Sequence, residues 1–86
     1  MAASAAAYIA RGMNPIQASE LASLIEGTAA GKQSTLMGLG FPAPLASELI
    51  AQMVAGVGNE AKLRGLGMPT ALAALVASDI EATSAE

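Results

Sequence analysis

The sequence predicts an all-α fold of three tandem helix–turn–helix hairpins, each about 27–28 residues long, and three observations predict it. Blocks of sequence recur at a fixed spacing. Each block joins a segment that ends at a glycine to one that begins near a proline. No segment shows the alternating β-branched pattern of a half-buried strand. The units fall at about 4–28, 33–57 and 61–82, in one small helical domain spanning 1–86.

The recurrence is explicit. Ala18-Ser19-Glu20-Leu21 returns as Ala46-Ser47-Glu48-Leu49, an offset of 28, and the same offset carries Gly12-Met13 onto Gly40-Phe41. Leu36-Met37-Gly38-Leu39-Gly40-Phe41-Pro42 returns as Leu63-Arg64-Gly65-Leu66-Gly67-Met68-Pro69, an offset of 27 that continues through Leu45/Leu72, Ala46/Ala73 and Met53/Ile80. In an alanine-rich chain some agreement arises from composition, but shared glycine and proline positions do not.

In the first unit a short helix closes at Gly12, which supplies the left-handed residue of a helix C-terminus. Asn14 then caps the next helix with Pro15 in its first turn. Ala18, Leu21, Ala22, Leu24 and Ile25 give that helix its apolar stripe. Residues 27–31 form a glycine-punctuated link of ordinary length. The second unit repeats the plan. Its turn is Gly40-Phe41-Pro42, with proline expected in the first turn of the new helix. Leu45, Ala46, Leu49, Ile50, Met53, Val54 and Val57 then follow a 3.6-residue period, opposite Ser47, Glu48, Ala51, Gln52 and Ala55. After the link Gly56-Val57-Gly58-Asn59, the third unit turns at Gly67-Met68-Pro69. It sets Leu72, Ala73, Val76, Ala77 and Ile80 against Ser78, Asp79 and Glu81. The small, polar residues 83–86 are expected to fray.

Composition makes the core look thin. Hydrophobic residues are 53% of the chain, yet alanine supplies 21 positions and Leu, Ile, Val, Met, Phe and Tyr together only 25. Alanine buries little area, the aromatics are Tyr8 and Phe41, and a domain of this size gathers little stability alone. Docking on a larger body, or on further copies of itself, is the expected remedy.

Charge and residue chemistry narrow the function further. The net charge is −3, and of the four cations Arg11, Lys32, Lys62 and Arg64 only the last two lie close together. That is no nucleic-acid footprint and no basic membrane-binding face. The longest uncharged stretch, 33–47, is broken by glycines and prolines and is too short to span a bilayer. No basic region precedes the first apolar run as in a signal peptide, so a cytoplasmic site of synthesis is expected. Cys and His are absent, which removes disulfides and the usual zinc and haem ligands, and no cofactor is expected. Ser19 beside Glu20 and Ser47 beside Glu48 are not nucleophile–base pairs, because adjacent helical residues do not face each other. Gly31-Lys32 fails the spacing of a phosphate-binding loop. Asp79 and Glu81 lack a shaped cation loop and read as a solvated face. The expectation is a protein that is not an enzyme.

Met13, Phe41 and Met68 share one slot between turn glycine and second helix. The primary reading is a plug that locks each hairpin, with a partner contact as the alternative. Leu75 stands where the other units have Glu20 and Glu48, which leaves the third helix apolar over much of its circumference and suited to burial against another subunit. Phe41, Met68, Leu72 and Leu75 are therefore the candidate partner-binding residues.

The pattern Leu-x-x-Leu-Gly-x-Pro-x-x-x-Ala, carried by Leu36 to Pro42 and by Leu63 to Pro69 and followed by an amphipathic helix, resembles the alanine-rich helical repeats of small tailed-bacteriophage virion proteins. The likeness covers 33–82 well and 8–27 loosely. It implies a structural virion protein, a capsid accessory, decoration or head-fibre component that binds capsid protein or itself. The implied location is the virion, and the implied state an oligomeric assembly. Leu36 to Phe41 also resembles the turn of ubiquitin-associated domains, which would imply an adaptor that grips a peptide or protein partner through the Phe41 loop. In that family Met, Gly and Phe are consecutive, whereas here the place is held by Leu39-Gly40-Phe41.

Overall fold

A computed structural model describes residues 3–27 and 33–85. All its regular structure there is helical: α1 (Ala5–Ala10), α2 (Pro15–Gly27), α3 (Gln33–Gly38), α4 (Ala43–Ala55), α5 (Glu60–Gly65) and α6 (Thr70–Ala85). Short and long helices alternate, and each short helix packs on the long one that follows it: α1 on α2, α3 on α4, α5 on α6. The hairpins also pack on one another, through α2 with α3, α4 with α5, and α6 with both α2 and α4.

One turn closes all three hairpins. Gly12, Gly40 and Gly67 have φ of 100°, 99° and 108°, a region that costs a side chain but not glycine. Their N–H groups donate to Ile9, Met37 and Arg64 carbonyls, each at 3.0 Å. The next residues, Met13, Phe41 and Met68, donate to Tyr8, Leu36 and Leu63, each at 3.1 Å. These paired bonds are the Schellman arrangement, which satisfies the orphan carbonyls of a helix end. The apolar contact that accompanies this motif joins the residue after the glycine to the helix's third-last residue. Both sets are buried here. The long helices start at once: Asn14 accepts from Ile16 and Gln17 N–H at 2.8 and 3.3 Å. Pro42 and Pro69 lie just before their helices rather than in the first turn, with Pro42 itself at the cap and Pro44 inside.

Among the described residues nine have no exposed surface, and they fall into three equivalent sets: Tyr8, Leu36 and Leu63; Ala18, Ala46 and Ala73; Leu21, Leu49 and Val76. Members of a set stand 28 and 27 residues apart, the offsets of the sequence recurrence. The first set lies on the short helices and the other two on the long ones. All belong to a single apolar cluster. The Cα radius of gyration is 11.1 Å, with extents of 28 × 26 × 23 Å. A compact chain of this length is expected near 12 Å. The hairpins pack on one another around that cluster, while Ile9, Ile16, Met37, Val54, Val57 and Leu66 stay exposed.

Three expectations are corrected. Gln52 and Asp79, assigned to the outer sides of their helices, are buried, while Val54 and Val57 are 67% and 59% exposed. The tail does not fray at Thr83. Helix α6 runs to Ala85, and the half-buried Thr83 hydroxyl lies 3.4 Å from the Glu26 carboxylate. Glu48 is half-buried, accepting from Gln52 Nε2 at 2.9 Å with Lys62 4.0 Å away. Most of the link through Gly31 and Lys32 lies outside the described residues.

Candidate docking surface

Because each short helix runs toward its turn and each long helix away from it, the three turns gather at one end of the bundle. They line a common open pocket of about 210 Å³, built from Gly12-Met13-Asn14, Gly40-Phe41-Pro42 and Gly67-Met68-Pro69, with Leu45 and Leu72 behind and Gln17 at the side. Gln17 holds the position of Leu45 and Leu72 in the first hairpin. Its amide nitrogen donates to the Leu39 carbonyl at 2.7 Å, binding the first hairpin to the second turn. This polar substitution gave no signal in the sequence, since a lone glutamine on a helix reads as solvated.

The residues assigned to a partner are mostly used by the fold. Phe41, Met68 and Leu72 are 7%, 5% and 4% exposed and sit in the core cluster, so the first two act as plugs of their own hairpins. The structure brings these three together at the pocket but leaves Leu75 outside its lining. Leu75 is half-buried against the same core rather than standing free. Other apolar side chains are exposed near the turns: Ile16 (66%) in the first turn of α2, Met37 (45%) and Ile9 (42%) late in the short helices, and Leu66 (36%) beside Gly67. Sequence periodicity could have found them, because they lie off the buried stripes.

Electrostatics at this end are mild. No acidic residue stands in the first turns of α2, α4 or α6. The Arg11 guanidinium returns to the Ala7 carbonyl at 3.0 Å, and Arg64 pairs with Glu60 at 3.0 Å on the surface, where such pairs contribute little. Among the described residues no cluster of three carboxylates could hold a metal ion, and no helix is long and apolar enough to cross a membrane.

Away from the turns lies a buried polar pair that sequence reasoning missed. The Tyr8 hydroxyl donates to Asp79 Oδ2 at 2.7 Å across 71 residues, joining α1 to α6. Burial, then the hydrogen bond and the charges of Asp79 and Glu26, push the Tyr8 hydroxyl far above its ordinary value, so it remains a donor. Burial, with repulsion from Glu26, also holds the Asp79 carboxyl above its ordinary value, although the Tyr8 bond and Arg11 pull it down. The folded state therefore binds the Asp79 proton more tightly than the unfolded chain does. The resulting stability is present in full below the ordinary aspartate range and is lost as pH rises through the raised value. Asp79→Asn, which keeps an acceptor for Tyr8, should raise the melting temperature at pH 7 by a few degrees and flatten the decline above pH ~4. Thermal melts across pH 3–8 check this, and an unchanged pH profile would refute it.

Compared with known protein families, curated proteins and solved structures, the chain matches none.

Proposed function

We propose that this chain is a non-enzymatic docking module of a tailed-phage virion, which binds capsid or another virion protein through the end where its turns converge. The virion assignment rests on the resemblance of the Leu36–Pro42 and Leu63–Pro69 turns to phage helical repeats. One observation carries the choice of surface. Most of each apolar stripe is spent on the core, with Val54 and Val57 left exposed at the other end, whereas the turn end keeps an open pocket beside exposed Ile16 and Leu66, the chain neighbours of its lining residues Gln17 and Gly67. Apolar patches with a polar border are where soluble proteins meet partners. The adaptor reading, in which the Phe41 loop grips a partner, is less favoured because Phe41 has little surface to offer.

Co-sedimentation with purified virions and with isolated capsid protein tests the proposal. The native chain should bind, and Ile16→Glu and Leu66→Glu should each weaken binding about tenfold or more, which is the ~1.4 kcal/mol expected of an interface contact. Their thermal stability should shift by no more than about 0.5 kcal/mol, as for surface changes generally. Val54→Glu, at the opposite end of α4, should bind normally. Failure of the native chain to bind any virion component, or sensitivity to Val54→Glu alone, would overturn the assignment.

A further inference from the structure

Nearly equivalent hairpins raise a problem that a single irregular core does not. Three units with the same turn and the same buried positions can be placed around their common centre in two circular orders. Hairpins of different molecules can also substitute for one another. Apolar contacts alone discriminate such arrangements poorly, because leucine against leucine satisfies either order. Something in the chain must penalise the wrong one.

The buried polar positions are distributed as such a penalty requires. Tyr8 is equivalent to Leu36 and Leu63, and Asp79 to Leu24 and Gln52. In the observed order, the short helix of each hairpin faces the long helix of the hairpin before it: α3 meets α2, and α5 meets α4. Helix α1 meets α6 through the Tyr8–Asp79 bond. The first junction has Leu24 and Leu36 at these positions. At the second, Gln52 turns to the following link instead, accepting from Asn59 N–H at 2.9 Å and donating to its carbonyl at 3.3 Å. Only the third junction, which no peptide link spans, combines a buried hydroxyl with a buried carboxylate. In the reverse order Tyr8 would face α4 and Asp79 would face a short helix carrying leucine, so a buried carboxylate would lose its donor. Such breakage of a buried polar pair costs far more than the intact pair contributes.

We infer that the Tyr8–Asp79 pair is a selector of hairpin order. It contributes little net stability and serves to make the observed arrangement the only one in which every buried polar group is satisfied. A registry role of this kind is the best attested use of buried polar pairs.

The test writes the apolar first junction into the third, as the double variant Tyr8→Leu/Asp79→Leu in the full chain. After unfolding and refolding, far-ultraviolet circular dichroism should retain the native helix content. Size-exclusion chromatography with light scattering should reveal dimers or larger species absent from the native protein, and amide NMR spectra should contain more than one set of peaks. Asp79→Asn, which keeps the hydrogen bond, should refold to one monomeric species with one set of peaks. A double variant that refolds to a single monomer with one peak set overturns the proposal. So does a double variant that no longer folds, since the pair would then be holding the structure up rather than choosing it. Multiple species in Asp79→Asn overturn it as well.

Discussion

Replacing Phe41 with alanine should cost about 3–5 kcal/mol, the usual range for emptying a buried aromatic site. Phe41 is 7% exposed in the core cluster, and its N–H closes the middle hairpin by donating to Leu36. A domain of this length has about 4–13 kcal/mol in total at typical values per residue. The loss is a large share of that total, so the variant should show a large fall in urea midpoint with a little-changed slope. Chemical denaturation followed by circular dichroism measures this directly. If Phe41→Ala kept native stability, the side chain would not be a plug, and the reading of Phe41 as a partner's handhold would regain its force.

A second large effect is expected from the smallest possible change, Gly58→Ala. Gly58 lies in the link between α4 and α5, where an added methyl would run into the backbone of Ala77 in α6, meeting its carbonyl oxygen and coming within 2.7 Å of its carbonyl carbon. A helix backbone cannot swing aside as a side chain can. The link or α6 must shift, and we expect a loss of about 3 kcal/mol, at the upper end for overpacked sites. Gly65→Ala, with open space around it and inside α5, should be neutral or mildly stabilising. Parallel thermal melts of the two variants measure the contrast, and equal stabilities would show that α6 and the link do not approach so closely.

Local features were legible in the sequence and long-range ones were not. Glycine at 12, 40 and 67 and proline at 15, 42 and 69 mark the turns because the left-handed conformation and the missing N–H are properties of single residues. Stripes such as Leu45, Ala46 and Leu49 follow from helical periodicity. The errors fall where sidedness depends on a distant segment. Asp79 looks solvated until Tyr8, 71 residues away, is seen to donate to it. Gln52 looks outward until the chain doubles back at Asn59. Val54 and Val57 continue the stripe in sequence but point outward, because it is Gly56 and Gly58 that lie against α6 at this end. Of the four candidate contact residues, Phe41, Met68 and Leu72 lie at the turn end and Leu75 does not, and the burial of the first three is visible only once the three turns are seen to meet. Composition alone counts alanine by the small area it buries, and does not show that Ala18, Ala46 and Ala73 occupy the same enclosed place in each long helix.

Ala18, Ala46 and Ala73, fully enclosed, have a further consequence. A methyl group has no side-chain torsion that can rotate to another well, so ordering it forfeits almost no entropy and offers no alternative conformer. With a methyl at the same point of every long helix, the middle of the bundle has few ways to breathe open and admit a guest.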